Sequence, residues 1–439
     1  MAGPEKSLRH RTVLAIAVPV MISNVSTALI GLVDTGVVGR LPGPAYIGAV
    51  ALGSLVFTFV FWAFGFLRMG TTGLTAQALG AGDTDGLAAV LLRALLVAFA
   101  VGGTLILLQW PIREIAFALV QGSDTVESLA RRYFDIRIWA APATLANYAL
   151  LGWFIGLGRT GTGLVLQLVL NLTNIALDVL FVLGFGMDAR GVATGTLLAE
   201  IVALGAGLLL AARHLGGFGG LRPSREILAP GRLRPTLIVS ADIMVRTLAL
   251  IFVFVWFTSQ GARQGDTILA ANTILLHFVS TSAYFLDGLA FAAEALVGRA
   301  AGAAHRRGLR AAARITTLWS AMTAVAIVLV LVAAGPTLID ILTVDAASRE
   351  TARSFLPWAV AAPLLGVWAF QLDGIFIGVT RTADMRNAML AATAVFLAAW
   401  WLLTPYGNHG LWAAFHVHYL ARIGSLLVYY PRLVRSVPE

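Results

Sequence analysis

TAQALGAGDTDG at 75–86 returns, without a gap, as VGRAAGAAHRRG at 297–308. FIGLGRTG at 154–161 returns as FIGVTRTA at 376–383, and Ala140-Ala141-Pro142 returns as Ala361-Ala362-Pro363, so the offset holds at about 222 residues. A constant offset between two apolar halves marks a duplicated membrane bundle, in which ligand sites lie between the repeats near the bilayer midplane. The repeat predicts an N-lobe over 1–212, a cytoplasmic linker over 213–234 and a C-lobe over 235–439. The linker, RHLGGFGGLRPSREILAPGRLR, has the Gly, Pro and Arg content of a flexible connection.

Composition agrees with a membrane solvent. Of 439 residues 59% are hydrophobic and 12% charged, too little polar surface to cover a water-soluble globule. Apolar runs of about 20 residues are read near 12–34, 45–69, 87–109, 133–157, 163–184, 191–212, 235–257, 268–296, 311–333, 353–378, 386–403 and 409–430. They predict an all-α integral membrane fold of twelve transmembrane helices in two six-helix lobes, because open strand edges in hydrocarbon leave backbone groups unpaired.

The net charge of +9 is spread over short loops and gathered on no domain, which speaks against nucleic acid as a partner. Loops on the side of both termini hold about twice the Lys and Arg of the other side, so both termini are expected in the cytoplasm. The first apolar run is full length and lacks a small-residue cleavage site, and is read as an uncleaved helix. The absence of cysteine removes thiolate metal sites, iron–sulfur clusters and thiol nucleophiles. His416 and His418, two apart, point to different helix faces, and no metal site is expected. There is no GxxxxGK[ST] or GxSxG string, and Lys6 is the only lysine. An ion gradient or simple diffusion must therefore drive any transport, and no enzyme chemistry is expected.

Carboxylates in apolar helices are costly, and mark ion or substrate routes. Asp34 ends the first run in GLVDTGVVG; alone it also reads as interfacial, but Asn24, Thr27, Gly31 and Asp34 are spaced 3, 4 and 3 apart, a polar stripe suited to a wet cavity. On the fifth run, Asn171, Asn174 and Asp178 share one face, either as glue between helices or as an ion site. Thr194 and Thr196 on the sixth run offer hydroxyls, and Asn147 on the fourth an amide. Two carboxylates in one low-dielectric cavity cannot both ionise comfortably, which makes the pair a proton-loading site. The same oxygens suit Na⁺. Either ion would be a coupling ion, and no cofactor is expected.

Pro19, 15 residues before Asp34, is read as a static kink or a hinge. In the second half, Asp242 and Arg246 at i, i+4 are expected to neutralise one another. Asp287, Glu294 and Asp373 are read as a second proton site or an anionic patch for a cationic substrate. Arg68 is either a counter-charge to the N-lobe acids or a snorkelling cation, and Glu200 and Arg422 are expected at the interface. The repeat also disagrees with itself: Asp34 falls opposite Phe257, and Pro19 opposite Asp242.

Several strings together carry a resemblance: GLVDTGVVGR (31–40), GFLRMGTTGLTAQALGAGD (65–83), AAPATLANYALLGWFIG (140–156), NLTNIALDVLFVLG (171–184), DIMVRTL (242–248), AYFLDGLAFAAEALVGRAAGA (283–303) and GVWAFQLDGIFIGVTRTADMRNAM (366–389). On them the chain resembles the multidrug and toxic compound extrusion (MATE) transporters, in particular their DNA-damage-inducible F (DinF) branch. The resemblance implies alternating access between two lobes and cation-driven export of amphipathic, usually cationic compounds from the bacterial inner membrane. It assigns the coupling site to Asp34, Asn174, Asp178 and Thr196 and a role in helix bending to Pro19. The chain is expected to work as a monomer. The rival reading is a lipid-linked oligosaccharide flippase of related fold, for which an Arg-lined cavity is expected.

Overall fold

Helix ends follow from local chemistry in the computed structural model, which describes residues 10–41, 43–120, 122–217, 219 and 230–439. Residues 1–9 and, within the expected linker, 218 and 220–229 lie outside the described residues. Asp83, Ser123 and Asp345 each accept a hydrogen bond from a backbone N–H of the helix they open, at Gly86, Val126 and Ser348. Those helices are α4 (Thr84–Leu107), α6 (Asp124–Arg137) and α13 (Ala346–Gly378).

The remaining helices are α1 (His10–Val38), α2 (Pro44–Ala63), α3 (Phe66–Gly80), α5 (Gln109–Leu119), α7 (Ala141–Gly156), α8 (Thr160–Asp178), α9 (Ala189–His214), α10 (Pro230–Ala262), α11 (Asp266–Gly302), α12 (Arg306–Leu342), α14 (Thr382–Leu403) and α15 (Gly407–Arg435). No strand occurs among the described residues. Ten helical segments among them are long and apolar enough to cross a membrane. One of the ten, Thr382–Arg435, joins α14 and α15 across a 3-10 turn at Thr404–Tyr406, and the 29-residue α1 is not among the ten. α5 is an addition to the expected elements, tied to α6 by Arg113–Asp135 at 2.8 Å and Arg131–Glu114 at 2.7 Å.

The chain divides into two compact units. One holds residues 22–75 and 83–240, with α2 on α6, α4 on α7, α6 on α9 and α8 on α9. The other comprises residues 10–21, 76–82 and 241–439, and packs α11 on α13, α14 on α15, and α12 on α11 and α13. The division falls within α1 between Met21 and Ile22, two residues past Pro19.

Glycines of the repeat let backbones touch in each unit. A Cβ on Gly152 or Gly156 of α7 would strike the carbonyl of Arg68 or Thr72 in α3; one on Gly374 or Gly378 of α13 would strike that of Ala290 or Glu294 in α11. These are the same contacts one repeat later, and close approach by small residues is how helices associate where lipid is the solvent. The second unit centres on an aromatic core, in which Phe257 packs 4.9 Å from Trp412 and 5.3 Å from Phe415, ring centre to ring centre. The aromatic that replaces Asp34 in the repeat is thus structural.

Candidate functional site

Asp178 is the last residue of α8, and the next six, Val179–Gly184, wind as a π-helical turn, a feature common at functional sites. Gly195 of α9 lies against it: a Cβ there would collide with Asp178 Oδ1 and stand 3.3 Å from its backbone N. The Asp178 side chain is wholly buried, and the Asp34 carboxyl from α1 lies beside its carboxyl. Asn174 Nδ2 donates to Asp178 Oδ1 at 3.4 Å and to Thr196 Oγ1 at 3.2 Å, while the Thr196 hydroxyl donates to Val192 O at 2.9 Å. Four residues from α1, α8 and α9 therefore meet in one place. Asp34 Oδ1, Asp178 Oδ2 and Asn174 Oδ1 are buried there with no hydrogen-bond partner.

A second polar group lies in the same unit. Arg137, the last residue of α6, is 8% exposed, with Nη2 3.5 Å from Glu200 Oε1. Its guanidinium stands 5.5 Å from the Phe57 ring centre and 5.4 Å from that of Phe61. Asn147 Nδ2 donates to both Glu200 O at 3.0 Å and Glu200 Oε2 at 2.8 Å. The charge of Arg137 acts on Asp34.

Several expected site residues have other duties. Thr194 returns its hydroxyl to Arg190 O at 2.8 Å, Thr27 to Ser23 O at 3.0 Å, and Asn147 serves Glu200 instead of the acid pair. Asn171 bonds Ser26 Oγ at 3.0 Å and accepts from Gln167 at 2.7 Å, so the amide–acid face of α8 divides into two clusters. Asn24 is half-buried. Arg68 is half-buried on α3 and acts on Tyr148. Glu200 and Arg422, expected at the interface, are buried at 6% and 2% exposure, because each has an opposite charge to meet inside. The signal for Arg137 was present in the sequence: it lies inside the apolar run 133–157, where a cation is as costly as an acid.

In the other unit the expected Asp242–Arg246 pair does not form. Asp242 Oδ1 accepts from Arg386 Nη1 at 2.6 Å and Oδ2 from Thr382 at 3.0 Å, whereas Arg246 turns to Asp373. Arg422 meets the same Asp373 oxygen, so one carboxylate sits between two guanidinia. Asp287 is half-buried and acts on Arg246; Glu294 is buried in α11.

Duplicated helical units with charge networks in their interiors define a multi-pass membrane transporter. The family model described as MatE matches residues 19–180 and 243–400. The chain belongs to that family, whose members are transporters and not enzymes. It is 39% identical to DNA damage-inducible protein F of Escherichia coli over 436 residues, 99% of this chain and 94% of that protein. It is 28% identical to the probable multidrug resistance protein NorM of Bradyrhizobium diazoefficiens, across 97% and 93% of the two chains. Among solved structures, a multidrug resistance MATE family transporter in an outward-facing conformation superposes with a TM-score of 0.85 at 21% identity, covering 97% of each chain. That likeness bears on the fold.

Proposed function

We propose that this protein is a proton-coupled antiporter of the bacterial inner membrane that exports amphipathic, cationic compounds. The observation that carries the reading is the buried pair of Asp34 and Asp178, in which Asp34 Oδ1 and Asp178 Oδ2 have no hydrogen-bond partner. Ionised carboxylates only accept hydrogen bonds, so two of them side by side need a proton between them. Loss of that proton leaves an anionic site that favours a cation, and gain of it releases the cation. Such a cycle is productive when the pair binds protons differently in the two access states. Relatives named as multidrug resistance proteins support export of drugs, and the anionic site supports their being cationic.

A sodium ion is the second reading, favoured by the three unpartnered acceptor oxygens of Asp34, Asp178 and Asn174. Arg137 weighs against it, because a fixed positive charge within reach of Asp34 opposes a metal cation more than a proton that neutralises a carboxylate. The flippase reading expects an Arg-lined cavity, whereas Arg246, Arg386 and Arg422 each meet a carboxylate.

The test is reconstitution in liposomes with a proton or a sodium gradient imposed separately, following efflux of a fluorescent lipophilic cation. Efflux driven by protons alone and abolished by Asp34→Asn is expected. Full gradient-driven efflux in Asp34→Asn would refute the proposal.

A further inference from the structure

Arg137 is poorly matched to a purely static pairing with Glu200. Charge-assisted N–H···O contacts normally close to about 2.7–2.9 Å, and this one stands at 3.5 Å. Its Nη1 is buried with no hydrogen-bond partner. A buried, unsatisfied guanidinium donor is costly, and the nearby acid pair presents the complementary deficit in Asp34 Oδ1 and Asp178 Oδ2. Glu200 would not be stranded if Arg137 left, because Asn147 already holds its Oε2 at 2.8 Å. The rings of Phe57 and Phe61, at 5.5 and 5.4 Å, supply the guanidinium with cation–π attraction that does not depend on Glu200.

We infer that Arg137 is a mobile counter-ion, bound to Glu200 while the Asp34–Asp178 pair holds its proton and drawn to that pair when the proton leaves. This inference rests on the proton-coupled reading above and gives that site its regulator. Arg137 thereby positions charge at the coupling site without contacting the exported compound. Glu200, from α9, sets how much of that charge the pair can use.

Among the described residues, the ionisable groups in this surround are Asp34 on α1, Arg68 on α3, Tyr133 and Arg137 on α6, Tyr148 on α7, Asp178 on α8 and Glu200 on α9. Of these, Arg137 and Glu200 compete directly, so removing them should have opposite effects. Without Arg137 the pair keeps its proton to higher pH. Without the Glu200 charge, Arg137 is freed for the pair, and the proton leaves at lower pH.

The experiment is an infrared titration of the full-length protein in liposomes, following the C=O band of the protonated carboxyl, assigned as the band lost in Asp34→Asn. Arg137→Gln is expected to move its midpoint up by about one pH unit and Glu200→Gln to move it down by a similar amount. The double variant should keep the Arg137→Gln midpoint, and Arg137→Lys should stay near wild type. Shifts of the same sign, a double variant restored to wild type, or Arg137→Lys behaving like Arg137→Gln would overturn the inference. If Arg137→Gln fails to assemble, the direction of the Glu200→Gln shift together with Arg137→Lys decides it. A wild-type protein with no titrating band assigned to Asp34 would sink the proton-coupled reading and this inference together, whereas a wild-type midpoint that the variants leave unmoved would sink the counter-ion alone.

Discussion

Ala304 holds φ at 51° in the position where its repeat partner, Gly82, holds 69°. The same relation joins Thr380, at 57°, to Gly158, at 71°. The backbone of the ancestral turn has persisted in both copies, while the second copy has lost the residue that adopts it without a steric penalty. Ala304→Gly should therefore stabilise the protein by about 1 kcal/mol, seen as a higher unfolding temperature in detergent. Thr380→Gly should gain less, because it also removes the hydroxyl that accepts from Gln77 Nε2 at 3.1 Å.

Gly80 and Gly302 are a reciprocal contact within one unit. A Cβ on Gly80 would strike the carbonyl of Arg299, and one on Gly302 would strike that of Gln77. Neither backbone atom can move aside cheaply, so Gly80→Ala and Gly302→Ala should each cost about 1–3 kcal/mol. Gly103→Ala, with nothing within 4 Å of its Cβ, should gain up to about 1 kcal/mol through helix propensity. Thermal unfolding of the three variants checks the contrast.

The Asp242–Arg386 pair is asymmetric. Asp242 is 3% exposed, whereas the Arg386 side chain is 36% exposed. Removing the arginine strands a buried carboxylate, and removing the acid leaves a cation that can reach outward. Arg386→Ala should thus cost about 2–3 kcal/mol and exceed Asp242→Asn, as read from unfolding midpoints.

Gly195→Ala should act on transport more than on folding. The added methyl would displace the Asp178 carboxyl from its place beside Asp34. About a tenfold slower gradient-driven efflux, equal to about 1.4 kcal/mol in barrier, is expected with the protein still monodisperse. Unaltered efflux would mean that the position of Asp178 is not limiting.

At the start of α13, outside the apolar segment, the Ser348 contacts hold the Asp345 carboxyl below its ordinary value of 3.8. A lowered carboxyl stabilises the fold above its unfolded pKa and loses that contribution as pH falls through the folded value. Protection of the amides in the first turn of α13, relative to their intrinsic exchange rates, should therefore fall below pH 3.8, and Asp345→Asn should abolish that acid-dependent loss.

Much of this was legible in the chain. The repeat and the apolar runs predicted a duplicated helical bundle, and the cost of a membrane carboxylate singled out Asp34 and Asp178. Spacing also placed Asn174 and Asp178 on one face, where they now meet Thr196. Helix spacing failed where partners lie on other helices: Asp242 and Arg246 are one turn apart, yet look to Arg386 and Asp373.

By itself, the sequence determined the helical architecture, the duplication and the two acids, because each follows from hydrophobicity along the chain and the penalty for charge in lipid. Tertiary structure alone decided which charges pair. In a low-dielectric interior an ion needs a partner with its hydrogen bonds aligned, and residues such as Arg137, Glu200 and Asn147 are brought together only when α6, α7 and α9 pack.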